Sequence, residues 1–431
     1  MTREKITSEI LKECCDKIVL DNGLTVLVCE MKEKSGVYAL YGAKIGSVTS
    51  KFILDGHEMT APAGTAHFLE HKLFENENED AFELFAKTGA SANAFTSFEK
   101  TCFVFSTTVN AAKSLEILIN FVSSPHFTDK TVQKEQGIIA QEIKMYDDNA
   151  DWKMLFSMFK CLYSSTPIRE DIAGTVESIS MITPQVLYDC HRAFYRPENM
   201  VLSVAGNISA DEVAAVCEKC FAGKKTVRTE VELCTAHEKN EIVSDYFECE
   251  MEVSAPFFGM GYKETPVAQS DEQKKCFITD IAFELIAGET SEFYQKLYND
   301  GLVNSSFSTE QFVGEGYFCT VFSGETDYPK EVVKKLKNRI EEVRSKKIDA
   351  ERFEECKKAF LGETICGFDN ARNVASEFAE AHFKNQSGFD IINVLDSIKI
   401  EDIENAMQTM FRDERSAVCV INPKKTIGDN E

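Results

Sequence analysis

The chain has 431 residues, 43% of them hydrophobic, with 32 Phe, nine Pro and a single Trp. That is enough for sizeable cores and too long for one ordinary domain, so two to three domains are expected. A formal charge of −24 excludes a nucleic-acid binder, because phosphate contacts need clustered Lys and Arg, and the absence of any run of about eighteen apolar residues excludes a membrane-spanning helix.

Met1-Thr2-Arg3-Glu4-Lys5 leads into a charged amphipathic stretch without the apolar core of a secretory signal. The fifteen Cys are odd in number and scattered through core-like segments such as Thr101-Cys102-Phe103-Val104-Phe105. Both features point to a cytoplasmic protein with reduced thiols rather than a disulfide framework.

The segment His67-Phe68-Leu69-Glu70-His71 carries the most chemistry. On a helix, residues four apart share a face, so both imidazoles can reach one ion. Glu70, three residues after His67, can serve a water bound to the same ion. This is the inverted order of the His-Glu-x-x-His zinc motif. A catalytic zinc needs a third protein ligand and an open position for water. The helical run over 129–146 offers Glu135 and Glu142, two turns apart on one face, with Ile138, Ile139 and Ile143 as its expected apolar stripe. One carboxylate can ligate while the other buttresses a ligand. Asp147-Asp148 reads as the helix end, and Cys217 and Cys220, like His126 and His191, read as structural. His57, His237 and His382 have no partner at ligand spacing.

The elements come in a repeated order. A strand over 101–108 precedes a helix over 111–123. The helix-like Ile182-Thr183-Pro184-Gln185-Val186-Leu187-Tyr188 is followed by Phe194-Tyr195 and a strand over 200–205. In the second half a strand over 316–323 precedes a helix over 330–345. Ile398-Lys399-Ile400-Glu401-Asp402-Ile403-Glu404 is followed by Met410-Phe411 and a strand over 417–421. A repeat of about 200 residues indicates two similar α+β half-domains. The expected division is 1–222, a polar linker at 223–245, and 246–431. The helix expected over 274–288 contains no His, so only the first half can bind a metal through such a pair.

Together, His67-x-x-Glu70-His71, Glu135-x6-Glu142, Gly89-Ala90-Ser91-Ala92-Asn93-Ala94-Phe95-Thr96-Ser97, Gly174-Thr175-Val176-Glu177-Ser178-Ile179 and Tyr195-Arg196-Pro197-Glu198-Asn199-Met200 resemble the pitrilysin/insulinase family of zinc peptidases, the inverzincins. The resemblance is strong over residues 20–210 and weaker beyond. It implies two α/β-sandwich half-domains enclosing a chamber, and Zn2+ held by His67, His71 and Glu142. Glu70 would be the general base and Glu135 the supporting carboxylate. Ala92, Asn93, Ala94 and Phe95 would lie on an edge strand that receives a peptide substrate as an added strand. The implied activity is that of a zinc endopeptidase acting on unfolded peptides or small proteins; the alternative is a non-catalytic or peptide-binding subunit. The family's second half carries Phe-x-x-x-Arg-x6-Tyr, whereas this chain has Tyr294, Tyr298 and Asn304 near those positions. That departure implies a heterodimer, in which a paralogous partner supplies the Arg and Tyr, before a homodimer.

Overall fold

The computed structural model describes residues 1–75, 77, 80–224 and 229–424. They form two compact units, each assembled from three stretches of chain. Unit 1 comprises Met1–Ile143, Glu170–Thr235 and Glu363–Ile392. Its main sheet has seven strands: β1 (Thr2–Ser8), β2 (Glu13–Val19), β3 (Thr25–Glu30), β4 (Val37–Ala43), β7 (Ser91–Thr96), β8 (Thr101–Thr107) and β9 (Met200–Gly206). A second, small sheet is built from β5 (Lys51–Leu54), β6 (His57–Thr60) and β10 (Val231–Leu233). The main sheet runs β1-β2-β3-β9-β4-β8-β7, with β3 and β9 parallel and every other pair antiparallel. Central β4 and β9 are buried at every residue, as strands covered on both faces must be. Edge strand β7 alternates exposed and half-buried. The N-terminal stretch, expected only to be amphipathic, is β1 at the opposite edge, where Arg3, Glu4 and Lys5 blunt the open strand.

Unit 2 comprises Lys144–Arg169, Ala236–Gly362 and Asn393–Glu431. Its sheet consists of β11 (Tyr246–Met251), β12 (Phe257–Lys263), β13 (Ser308–Gly314), β14 (Tyr317–Glu325) and β15 (Ser416–Pro423), in the order β11-β15-β12-β14-β13. This reproduces the β3-β9-β4-β8-β7 order of unit 1, including one parallel pair at the same place, here β11 with β15. The repeat expected from the sequence is therefore a repeat of topology, and the chain is an α+β protein of two similar halves.

The units do not follow a single cut of the sequence. The helix Ala150–Leu162, from the first half, packs on β12, β15 and β11 of unit 2. The helix Ala371–Phe383, from the second half, packs on the equivalent β4, β9 and β3 of unit 1. Steric fit explains the choice of partner. In Phe257-Phe258-Gly259-Met260-Gly261-Tyr262 the large residues Phe258, Met260 and Tyr262 enter the main core of unit 2. The glycines between them leave room on the other face: a Cβ at Gly259 would lie 2.1 Å from Met154 Sδ, and one at Gly261 2.5 Å from Met158 Sδ. In unit 1, Val374, Ala375, Phe378 and Ala379 pack with Tyr38, Leu40, Val104, Val201 and Ala205. Residues 144–169 and 363–392 thus lie across the 223–245 boundary that the sequence alone indicates.

The expected linker is itself tied down. Residues 225–228 lie outside the described residues, but 231–233 form β10 against β5. Within unit 2, the Glu238 carboxylate accepts the backbone N–H groups of Ser164, Ser165 and Thr166 and pairs with Lys263 at 2.8 Å.

Candidate metal centre

The site is built from two helices of unit 1, α1 (Thr65–Leu73) and α2 (Asp129–Asp147). In α1, Phe68, Leu69 and Leu73 are buried against the core, so the 3-and-4 spacing turns His67, Glu70 and His71 together onto the other face. The start of α1 is clamped. Gly64 caps it at φ +89°, a left-handed conformation that favours glycine, and a Cβ there would lie 2.4 Å from the Ala173 carbonyl oxygen. In return, Ser178 Oγ donates to the Ala63 carbonyl at 2.8 Å, and Thr175 and Ser178 form a reciprocal cap on the short helix that begins at Val176. The Gly174-Thr175-Val176-Glu177-Ser178 motif therefore holds the metal-motif helix by its N-terminus.

In α2 the buried positions are Val132, Glu135, Ile139 and Ile143. The expected stripe is corrected at one place: Ile138 is 47% exposed, because it lies about 100° round the helix from Ile139. Glu135 lies on the buried side and Glu142, two turns on, is half-buried. The helix ends at Asp147, as the Asp147-Asp148 pair indicates.

These elements bring together all five expected residues of the centre. One ligand atom from each of His67, His71 and Glu142 lies within 4.8 Å of the other two. His67 Nε2 is 3.7 Å from Glu142 Oε1, and His71 Nε2 is 3.5 Å from Glu142 Oε2. Tetrahedral zinc with bonds of about 2.0–2.1 Å separates its ligand atoms by roughly 3.3 Å, so the two His–Glu142 separations are close to what the ion needs, while the set as a whole, held within 4.8 Å, must draw in around it. His71 Nδ1 is 3.0 Å from Glu135 Oε1, an arrangement that turns Nε2 toward Glu142 as a lone-pair donor. His67 Nδ1 is buried without a hydrogen-bond partner among the described residues.

The electrostatics suit a cation. Burial, reinforced by the neighbouring His71, lowers the His67 pKa to about 4, so this imidazole is neutral at physiological pH, as a ligand must be. Burial also acts to lower His71, but the hydrogen bond to Glu135 and the charges of Glu70 and Glu142 win and raise it. For Glu135 burial works upward, and the bond to His71 outweighs it, leaving the carboxylate below its ordinary range. Burial raises the Glu70 carboxyl, which makes it a stronger base than an exposed Glu.

Two features were not read from the sequence. Thr96, the last residue of β7, donates from Oγ1 to Glu70 Oε2 at 2.5 Å. Its signal was the period-2 alternation, which puts Ala92, Ala94 and Thr96 on one face of the strand and Ser91, Asn93 and Phe95 on the other. Lys72 is fully buried beside the centre and pairs with Glu75; nothing in the local pattern marks it. The strand containing Ala92, Asn93, Ala94 and Phe95 is an edge strand, pairing only with β8 within the main sheet, and the Ala94 amide is taken by Asn93 Oδ1 at 2.9 Å. His191 is half-buried with Nε2 2.9 Å from the Val122 carbonyl, and desolvation of its ring lowers its pKa to about 4. In unit 2, Tyr294 is buried on the helix Glu292–Asn299 and Tyr298 is 49% exposed.

The family model described as Insulinase (Peptidase family M16) matches residues 55–176, and that described as Peptidase M16 inactive domain matches residues 181–360. The uncharacterized zinc protease YmfH of Bacillus subtilis (strain 168) is 36% identical over 425 residues, 97% of this chain and 99% of that protein. An uncharacterized zinc protease of Rickettsia felis is 24% identical over 424 residues, 93% of this chain and 96% of that protein. The crystal structure of an M16-like peptidase from Alicyclobacillus acidocaldarius superposes with a TM-score of 0.91 at 32% identity, covering 98% of this chain and 99% of that one. A protease from Helicobacter pylori, at 20% identity, shares the fold with a TM-score of 0.80 over 98% of this chain and 100% of that one.

Proposed function

The chain belongs to the insulinase family of M16 peptidases, and from that premise we propose that it is a zinc-dependent endopeptidase hydrolysing peptide bonds in unfolded peptides or small proteins. The observation that carries this reading is the convergence of His67, His71 and Glu142 within 4.8 Å, with the Glu70 carboxylate on the same helix face. His67, His71 and Glu142 would hold the ion, with Glu135 fixing the His71 ring. Zinc, when bound, supplies Lewis-acid polarisation and acidifies water. Glu70 takes the proton of the attacking water and returns it to the leaving amine. Its burial raises its affinity for that proton. The substrate would add to the open edge of β7 along Ala92, Asn93, Ala94 and Phe95, an interaction of backbone with backbone that reads side chains loosely.

The test is cleavage of a mixed peptide library by the purified chain, with and without chelator. We expect about one zinc per chain and loss of cleavage on chelation. Glu142→Gln should lower zinc occupancy. Glu70→Gln should keep the zinc and lose turnover by about 10²–10⁴-fold. Near wild-type turnover in Glu70→Gln would sink the mechanism, and full zinc occupancy in Glu142→Gln would remove the third ligand.

One observation favours a two-chain enzyme. Tyr298 stands where the family pattern has Arg, on an exposed helix position of unit 2. We therefore extend the proposal to a paralogous partner that supplies the Arg and Tyr, with the chain acting as the metal-binding subunit. Full activity of the chain alone, unimproved by such a partner, would argue against it. No disulfide links cysteines among the described residues, which fits the reducing cytoplasm. No helix among the described residues is long and apolar enough to cross a membrane.

A further inference from the structure

We propose that Thr96 is a positioning residue for the general base, and that it joins the substrate-receiving strand to the proton-transfer step. The inference rests on the peptidase reading above and adds a role that the metal motif does not contain.

The argument is one of hydrogen counting. A threonine hydroxyl has one proton to give. Thr96 Oγ1 has two polar neighbours, Glu70 Oε2 at 2.5 Å and Thr101 Oγ1 at 3.5 Å. Thr101 gives its own proton to the Ile45 carbonyl at 2.9 Å. An ionised carboxylate only accepts, and 2.5 Å is the length of a charge-assisted O–H···O⁻ bond, so the Thr96 proton goes to Glu70. This bond engages Oε2 and leaves Oε1 the freer oxygen to take a proton from water. A glutamate on a helix face otherwise has several rotamers open to it, and holding one of them is what a base needs to stay within reach of its water.

The location adds the coupling. Thr96 ends β7, and its side chain shares a face with Ala92 and Ala94 on the strand whose free edge would pair with substrate. A peptide that straightens and stiffens that edge also stiffens the anchor of the base. Turnover should then depend on Thr96 more than substrate affinity does.

The experiment uses the full-length, zinc-loaded chain and one peptide identified as cleaved from the library. Thr96→Val keeps the shape and β-propensity of the residue but removes the hydroxyl; Thr96→Ser restores the hydroxyl. We expect Thr96→Val to lower kcat about tenfold, part of the 10²–10⁴-fold that general-base catalysis contributes, with KM within about twofold. Zinc content should be unchanged and Thr96→Ser should recover most of the rate. In the Glu70→Gln background, Thr96→Val should lower kcat no further, and the Kd of the same peptide should be equal with and without it. A crystal structure of Thr96→Val should show the Glu70 carboxylate displaced. If Thr96→Val fails to fold, Thr96→Ala is read in its place. Unchanged kcat with Glu70 in its original rotamer, or a rise in KM at constant kcat, would overturn the proposal. A wild-type chain that binds zinc but cleaves nothing, alone or with the paralogous partner, would instead overturn the peptidase reading, and the Glu70 rotamer in Thr96→Val would still decide the positioning role.

Discussion

Glu264 gives unit 2 a stability that should fall as pH rises. It follows β12 directly and is 4% exposed. Its carboxyl accepts the Phe411 N–H at 3.0 Å and the Thr320 hydroxyl at 3.3 Å. Burial raises its pKa from 4.5 to about 7, against the smaller opposing effects of the Phe411 amide, the Lys275 charge and Thr320. A folded-state pKa above the unfolded one means that the folded chain holds the proton more tightly. The contribution is therefore full below about pH 4.5 and is lost as pH rises through about 7. At 1.36 kcal/mol per unit, the shift is worth about 3 kcal/mol, of which about 2.5 kcal/mol disappears between pH 5 and pH 8. The assay is urea denaturation followed by fluorescence of Trp152, the single Trp of the chain, which lies in unit 2 against Tyr146 and Phe156. Glu264→Gln keeps an acceptor for Phe411 but cannot titrate. We expect the wild-type minus Glu264→Gln stability difference to fall by about 2.5 kcal/mol from pH 5 to pH 8. Parallel pH profiles for the two chains would refute the reasoning.

Two further perturbations test the scaffold of the centre. Gly64→Ala combines a positive φ with a Cβ 2.4 Å from the Ala173 carbonyl, so it should displace the start of α1 at a cost on the order of 1–3 kcal/mol. Chelator competition should show weaker zinc binding, and unchanged affinity would mean that the clamp does not set the His67–His71 geometry. On α2, Ile139→Ala should cost about 2–5 kcal/mol in thermal or urea unfolding and exposed Ile138→Ala less than about 1. Equal costs would restore the contiguous stripe that the sequence pattern predicts.

Much of the centre was legible because it is written in short-range periods. His67, Glu70 and His71 sit at i, i+3 and i+4, and Glu135 and Glu142 at i and i+7, so any helix through those segments must present each set on one face. The α1 and α2 helices form as those spacings require, and the Gly174 motif marks where the chain turns against the start of α1. The same local logic fails at Ile138: three isoleucines within six positions read as one stripe, but the core selects only those about 3.6 residues apart.

What the sequence determined by itself was therefore the identity of the metal-motif face, the repeat of strand and helix order, and the absence of a second His pair in unit 2. The partners of the helices Ala150–Leu162 and Ala371–Phe383 were decided only by the tertiary structure. A helix's amphipathic period says that it has a face to bury but not which sheet will bury it, and here the answer lies in glycines more than 90 residues away that leave space for Met154 and Met158. The pairing of Thr96 with Glu70 was decided in the same way. Two side chains 26 positions apart on a strand and a helix meet only because the sheet edge packs beside α1, and hydrogen bonding follows from that contact rather than from any local spacing.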